Sequence, residues 1–290
     1  PVPAPIIKGT RINLSMKPIL LLNSGTAFSG TSPLHFTLCM TNKYAHTGLC
    51  KEDFYLFSLQ EGIEIPFKPD TTGKKPPELT IHHGKEILDG ERSIDKYISY
   101  YKSLSEHLTE YKAVADFSNQ NACLTEEFML SIKDKLLEVF DIRVIMVFRD
   151  PVRRLFSVAN RNAPTDAQDY IKRMCVGKLE PNAYYSDIYT RHCNVWGEEK
   201  VHPIIMEEFW AGDTQPLAEF LEFPFTKIHP NVYYPDMGSR APHYPYLMDQ
   251  WSSDVEDLDL ATQRFVLEHM DHVYSNFAKT FGRIPEVWMK

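Results

Sequence analysis

The sequence predicts an α/β protein, a central parallel β-sheet flanked by helices, in one domain with loop insertions. Three observations carry this. A buried apolar strand at 19–23 runs into a small-residue loop and then a helix. A second β run, Arg143-Val144-Ile145-Met146-Val147-Phe148, ends in Arg149-Asp150-Pro151 and opens another helix. Strand and helix patterns alternate along the chain with no internal repeat, which is the pattern of a parallel sheet. Residues 18–290 are expected to form the domain, and the proline-bearing residues 1–17 an N-terminal extension or linker.

Taken in order, Ile19-Leu20-Leu21-Leu22 is the longest continuous apolar stretch and suits a buried strand. The spacing predicts a helix over 31–40. Residues 62–90, rich in Pro, Gly, Lys and Asp, read as a surface excursion. Ile94, Ile98, Tyr101 and Leu104 share one face of a helix within 92–111. A short strand follows at 113–117. Thr125 opens a helix to about 140, with Glu126 and Glu127 in its first turn. The β-branched run 143–148 is the clearest strand. Pro151 stands at an early helical position, where its missing N–H costs nothing. Helices are expected at 166–176, 182–194 and 214–222, and a strand at 202–206. Residues 224–250 read as a long irregular loop. The last helix covers about 258–281, with Val266, Met270, Val273, Phe277 and Phe281 as its core stripe.

Composition excludes several classes. The 290 residues carry 31 Lys+Arg against 39 Asp+Glu, a net charge of −8. A protein coating nucleic acid would need the opposite balance, so no nucleic-acid partner is expected. Apolar residues make up 43%, enough to form a core and too many for a disordered chain. No apolar run reaches the length of a membrane span. Cys39, Cys50, Cys123, Cys175 and Cys193 are scattered and odd in number, unlike a disulfide framework or zinc site. The chain begins at Pro1, so an upstream signal or anchor stays open, and with it a cytoplasmic or lumenal location.

The loop Gly25-Thr26-Ala27-Phe28-Ser29-Gly30-Thr31-Ser32 carries the first chemistry. Its glycines have P-loop spacing, G-x-x-x-x-G, followed by hydroxyl residues. Backbone N–H groups at the start of a helix hold anionic oxygens, and the helix dipole favours them. Glycine lets the backbone turn and approach closely. A P-loop kinase would place Lys at position 31, where this chain has Thr31. On its own the loop is equally a plain strand–turn–helix connection.

The stretch Arg149-Asp150-Pro151-Val152-Arg153-Arg154-Leu155-Phe156-Ser157 adds the second. Together the two resemble the PAPS-dependent sulfotransferase family, in which a loop of the form G-x-x-[KR]-x-G-T-[ST] binds the 5′-phosphosulfate. In that family R-D-P-x-x-R-x-x-S binds the 3′-phosphate through its Arg and Ser, here Arg149 and Ser157. Lys51-Glu52-Asp53-Phe54-Tyr55 resembles the K-E-x-H-[FY] segment whose Glu is the general base, which implies Glu52. Ala115-Asp116-Phe117-Ser118-Asn119 resembles an acceptor-side segment. Gly238-Ser239-Arg240-Ala241-Pro242-His243 resembles the late loop around the cofactor, which implies Gly238, Ser239 and Arg240. The likeness spans about 18–285 and is nearest the heparan-sulfate and carbohydrate branch. It implies a P-loop-type sheet, PAPS as donor, PAP as product and an O-sulfotransferase activity.

One position departs from the pattern. Where the family has Lys or Arg, this chain has Phe28, and a phenyl ring cannot stabilise the leaving phosphate. Lys51, Arg161 and Arg240 are the candidates to supply that cation, and His46, His82 and His83 are reserve bases. The acidic balance favours a neutral hydroxylated acceptor, a glycan or a lipid- or polyketide-like alcohol, over a polyanion. Two alternatives stand beside the transferase: a non-catalytic PAP- or PAPS-binding protein, and a small-molecule P-loop kinase.

Overall fold

The computed structural model describes residues 17–48, 54–63, 91–162, 167–176, 184–224 and 260–289. Its sheet has five strands, β1 (Ile19–Asn23), β2 (Ala45–His46), β3 (Ala113–Asp116), β4 (Asp141–Phe148) and β5 (Val201–Ile205). They lie in the order β2-β3-β1-β4-β5, and every pairing is parallel. The register sets Leu22 of β1 between Asp116 of β3 and Val144 of β4. The chain leaves β1 toward β2 and β3 on one side and later crosses to β4 on the other. In such sheets a ligand crevice opens at the carboxyl ends, where the strand order reverses.

Parallel strands need long crossovers, which helices supply. These are α1 (Thr31–His35), α2 (Tyr55–Glu61), α3 (Ile94–His107), α4 (Glu126–Val139), α5 (Pro151–Asn162), α6 (Ala167–Val176), α7 (Tyr185–Trp196), α8 (Met206–Ala211), α9 (Gln215–Leu221) and α10 (Leu260–Phe281). Both faces of the sheet are buried, and alternation along each strand divides the core. Leu20, Leu22, Val144, Met146 and Phe148 pack with Tyr97 and Tyr101 of α3, Leu136 of α4 and Ile188 of α7. Leu21, Ala115, Ile145 and Val147 face the other way, onto Leu34 of α1, Phe209 of α8 and Leu217 of α9. A third cluster joins Leu155 and Phe156 of α5 to Ile171 of α6 and to Val266, Met270 and Val273 of α10. That is the stripe expected from the 3.6-residue period, and Phe277 continues it into the main core.

Caps sit where their residue types predict. Ser93 accepts the N–H of Lys96, and Thr125 accepts that of Phe128. Four local features differ from expectation. The helix predicted over 31–40 is α-helical only to His35, then widens into a π turn, Phe36–Thr41. Asn42 closes that turn, its backbone and side-chain N–H groups both donating to the Thr37 carbonyl at 3.2 and 2.7 Å. The two-residue β2 exists only through its pairing with β3, a contact no local pattern announces. The helix α2 was not anticipated; it begins after Phe54 at φ 53° and ends at Gly62 at φ 63°. The expected strand at 202–206 ends at Ile205, and Met206 opens α8. The extension 1–16, most of the 62–90 excursion and nearly all of the 224–250 loop lie outside the described residues. Among the described residues no helix is long and apolar enough to cross a membrane.

Candidate active site

The loop after β1 stands at the carboxyl edge of the sheet. Ser24 N–H donates to the Ile145 carbonyl at 2.9 Å, so the loop leaves β1 still tied to β4. Gly25 N–H donates to Asn23 Oδ1 at 3.2 Å, and Asn23 Nδ2 reaches the Phe117 carbonyl beyond β3 at 3.3 Å. A Cβ on Gly25 would fall 2.8 Å from the backbone nitrogen of Val147. Glycine is needed here because β4 passes underneath. The turn from Thr26 to Ser29 is closed by Ser29 N–H on the Thr26 carbonyl and by a hydrogen bond between the two buried hydroxyls. Gly30 takes φ 90°, and a Cβ there would meet the Met206 side chain at 1.9 Å. Thr31 and Ser32 then begin α1.

Phe28 sits at the tip of this loop. Its φ is 65°, a left-handed conformation that costs a non-glycine residue about 1 kcal/mol or more. Its ring is 39% exposed. Phe28 therefore stands outside the core.

The second sequence element arrives from β4. Arg149 is 4% exposed, not the surface partner of Asp150 that its neighbour might suggest. Its Nη1 donates to Ser157 Oγ at 2.6 Å and to the Phe28 carbonyl at 3.3 Å. Ser157 lies two turns into α5, on the face that carries Arg154. Arg154 is equally buried, and its Nε donates to the Ala27 carbonyl at 2.8 Å. The two arginines of one string thus hold consecutive carbonyls of the loop. Burial lowers the pKa of Arg149, and the charge of Glu207 opposes that shift.

Asp150 caps α5, with Oδ1 accepting Arg153 N–H at 2.8 Å and Oδ2 accepting the Tyr274 hydroxyl at 3.0 Å. Burial raises its pKa, while the Arg153 amide counteracts.

The segment from Ala115 to Asn119 closes the other flank. Asp116, 1% exposed at the end of β3, accepts the Tyr97 hydroxyl at 2.9 Å and Ser118 N–H at 2.8 Å. Ser118 Oγ accepts the N–H of Phe54 at 3.0 Å. Phe54 is thereby anchored at the carboxyl edge of β3, the strand beside β1, and Glu52 precedes it by two residues in sequence. Glu52 itself, Gly238, Ser239 and Arg240 lie outside the described residues, as do Lys51, His82, His83 and the side chain of Arg161. His46 is placed elsewhere. Its Nδ1 accepts Gly48 N–H at 2.8 Å, and its ring lies edge-on to Tyr111, which precedes β3 at that strand's amino end.

The structure therefore brings together Gly25, Thr26, Ala27, Phe28, Ser29, Gly30, Arg149 and Ser157. Sequence reasoning gave no role to Arg154, Tyr185 or Glu207. Arg154 was visible as the second arginine of R-D-P-x-x-R, three residues before Ser157. The other two had no local signal.

No protein-family model matches the chain, and no curated protein sequence matches it. Solved structures do. The crystal structure of a sulfotransferase from Alicyclobacillus acidocaldarius aligns with a TM-score of 0.52 at 18% identity, covering 93% of this chain and 98% of that one. The sulfotransferase domain of the olefin synthase from Synechococcus PCC 7002 aligns at 0.55 and 15% identity, covering 93% and 96%. The chain has the sulfotransferase fold, an α/β fold with a central parallel sheet.

Proposed function

We propose that this protein is a sulfotransferase that moves a sulfuryl group from PAPS to a hydroxyl of an acceptor. The observation that carries the reading is Arg149 Nη1, which joins Ser157 to the carbonyl of Phe28 and so ties the R-D-P string to the phosphate loop. The residues fit a nucleotide phosphorylated at both 3′ and 5′ positions. A buried arginine and a serine form one anion subsite, and a glycine-walled loop at a helix start forms the other. Arg149 and Ser157 hold the 3′-phosphate. The loop from Gly25 to Ser32 holds the 5′-phosphosulfate, and Gly238, Ser239 and Arg240 complete the nucleotide site. When bound, PAPS supplies the sulfuryl group and leaves as PAP.

Glu52 accepts the proton that the acceptor hydroxyl gives up, the work of a positioned carboxylate. Ser118, by holding Phe54, fixes the end of the segment that carries it. Such a site acts by positioning and fixed charge. The acceptor is a neutral hydroxylated molecule, a glycan or a lipid- or polyketide-like alcohol. The net charge of −8 and the exposed ring of Phe28 both favour it over a polyanion. The likeness to the heparan-sulfate branch rests on the strings around Glu52 and Arg240 alone.

Phe28 also favours a second reading, a non-catalytic PAP- or PAPS-binding protein, because the loop lacks the family's basic residue. Two measurements decide. PAP should raise the melting temperature far more than ATP does, since a ligand of the folded state stabilises by mass action. Equal shifts would return the kinase reading. Transfer of radiolabelled sulfate to any member of an alcohol panel would exclude the non-catalytic reading; PAP binding with no transfer would establish it.

A further inference from the structure

Glu207 follows β5, at the start of α8, and is 8% exposed. A carboxylate buried so deeply is costly unless donors meet both its oxygens. Both are met. Oε1 accepts the backbone N–H of Asp150 at 3.0 Å, and Oε2 accepts the indole N–H of Trp288 at 2.9 Å.

The Asp150 N–H belongs to the peptide unit that also contains the Arg149 carbonyl. That carbonyl accepts the Tyr185 hydroxyl at 2.8 Å. A trans peptide is planar, with C=O and N–H pointing to opposite sides. Tyr185 and Glu207 therefore grip one rigid unit from its two edges. Holding that plane fixes the backbone on both sides of it, and with it the direction in which the Arg149 side chain leaves the main chain. The grip is shared with the loop. Met206, adjacent to Glu207, fills the space against Gly30. Trp288 is the last residue of a 3-10 turn, Glu286–Trp288, and packs against Phe277 and Tyr185.

We infer that Glu207 is a positioning residue for Arg149, and that Trp288 holds Glu207 in place, so that the turn at 286–288 sets the aim of the 3′-phosphate arginine. The inference rests on the PAPS reading above and names what tunes one of its two subsites. Glu207 does not touch the nucleotide. It acts through the Arg149–Asp150 peptide and by countering the buried guanidinium charge.

The test uses calorimetric binding of PAP and of adenosine 5′-monophosphate, which lacks the 3′-phosphate, to the full chain and to Glu207→Gln, Trp288→Phe and Tyr185→Phe. Glutamine offers one acceptor oxygen where the carboxylate offers two. Phenylalanine at 288 keeps the packing and removes the N–H. PAP should weaken by roughly tenfold in Glu207→Gln and less in Trp288→Phe, with adenosine monophosphate changed less than about twofold, because only the charge-assisted 3′ contact is misdirected. Tyr185→Phe should show the same selective loss. Equal weakening of both ligands, or unchanged PAP affinity in variants that keep the wild-type melting curve, would overturn the inference. Should Glu207→Gln not fold, Trp288→Phe and Tyr185→Phe decide by the same ratio. A wild-type protein that binds PAP no more tightly than adenosine monophosphate would instead overturn the PAPS reading, and the inference with it, before any variant is made.

Discussion

The guanidinium of Arg149 reaches the carbonyl of Phe28, 3.3 Å away in space and 121 residues earlier in the chain. The same nitrogen reaches Ser157 at 2.6 Å. The side chain of the candidate 3′ subsite thus abuts the loop, because β1 and β4 are neighbours whose carboxyl ends meet at one edge.

Removing that side chain should separate the subsites. Arg149→Ala is expected to weaken PAP by about 1.5–3 kcal/mol, the value of a charge-assisted hydrogen bond. Adenosine 5′-phosphosulfate, without a 3′-phosphate, should lose far less. Titration calorimetry with both ligands checks this, and equal losses would make Arg149 a structural residue.

Arg154 should give the complementary signature. Its Nε holds the Ala27 carbonyl, so its loss loosens the loop rather than the 3′ subsite. Arg154→Met is expected to weaken PAP and adenosine 5′-phosphosulfate alike, by roughly tenfold or more, as befits a buried charge-assisted contact. A selective loss of PAP would mean that Arg154 serves the 3′-phosphate directly.

Glu52→Gln should leave the melting curve and PAP affinity near wild type, because the amide is nearly isosteric with the carboxyl. Turnover should fall by roughly 10²–10⁴, the usual contribution of a positioned proton acceptor. The loss belongs in turnover, since the proton moves only as the acceptor reacts. Unchanged turnover in a steady-state transfer assay would move the base away from Glu52.

Phe28→Lys tests the departure from the family pattern. The ring is exposed and the backbone strain is the same for either side chain, so the variant should fold. It should bind PAP as well or more tightly and raise any transfer rate, because a cation then faces the leaving phosphate. A variant that loses PAP binding would show a loop built around the ring.

Acid should unfold the protein partly through His192. The ring is 1% exposed in α7, and its Nδ1–H donates to the Ile188 carbonyl at 3.0 Å. Burial lowers its pKa from 6.5 to about 4. The unfolded chain therefore binds the proton first as pH falls. Stability from the neutral ring is fully present above about 6.5 and is lost on the way down to about 4, by up to about 3 kcal/mol. Melting temperatures measured between about pH 7 and about pH 5 should fall less steeply in His192→Gln than in wild type; parallel slopes would assign the acid limb to other groups.

Much of this was legible in the chain itself. The strand at 19–23, the β run before Arg149, the caps Ser93 and Thr125 and the stripe from Val266 to Phe277 are local patterns whose period or end residues state their structure. The loop glycines and the pairing of Arg149 with Ser157 were readable because both lie in short strings. By contrast β2 has two residues and no pattern, and the π turn after His35 depends on where Asn42 can reach.

What the sequence determined was an α/β fold, the order of its main elements and the two strings of the candidate phosphate site. Tertiary structure decided that the strings meet, because only the parallel pairing of β1 with β4 brings Phe28 to Arg149 and Ala27 to Arg154. It also decided the role of Glu207. A glutamate in a short helix carries no signal of its own. It acquires one when β5 lies beside β4 and a buried carboxylate must find donors, here the amide of Asp150 and the indole of Trp288.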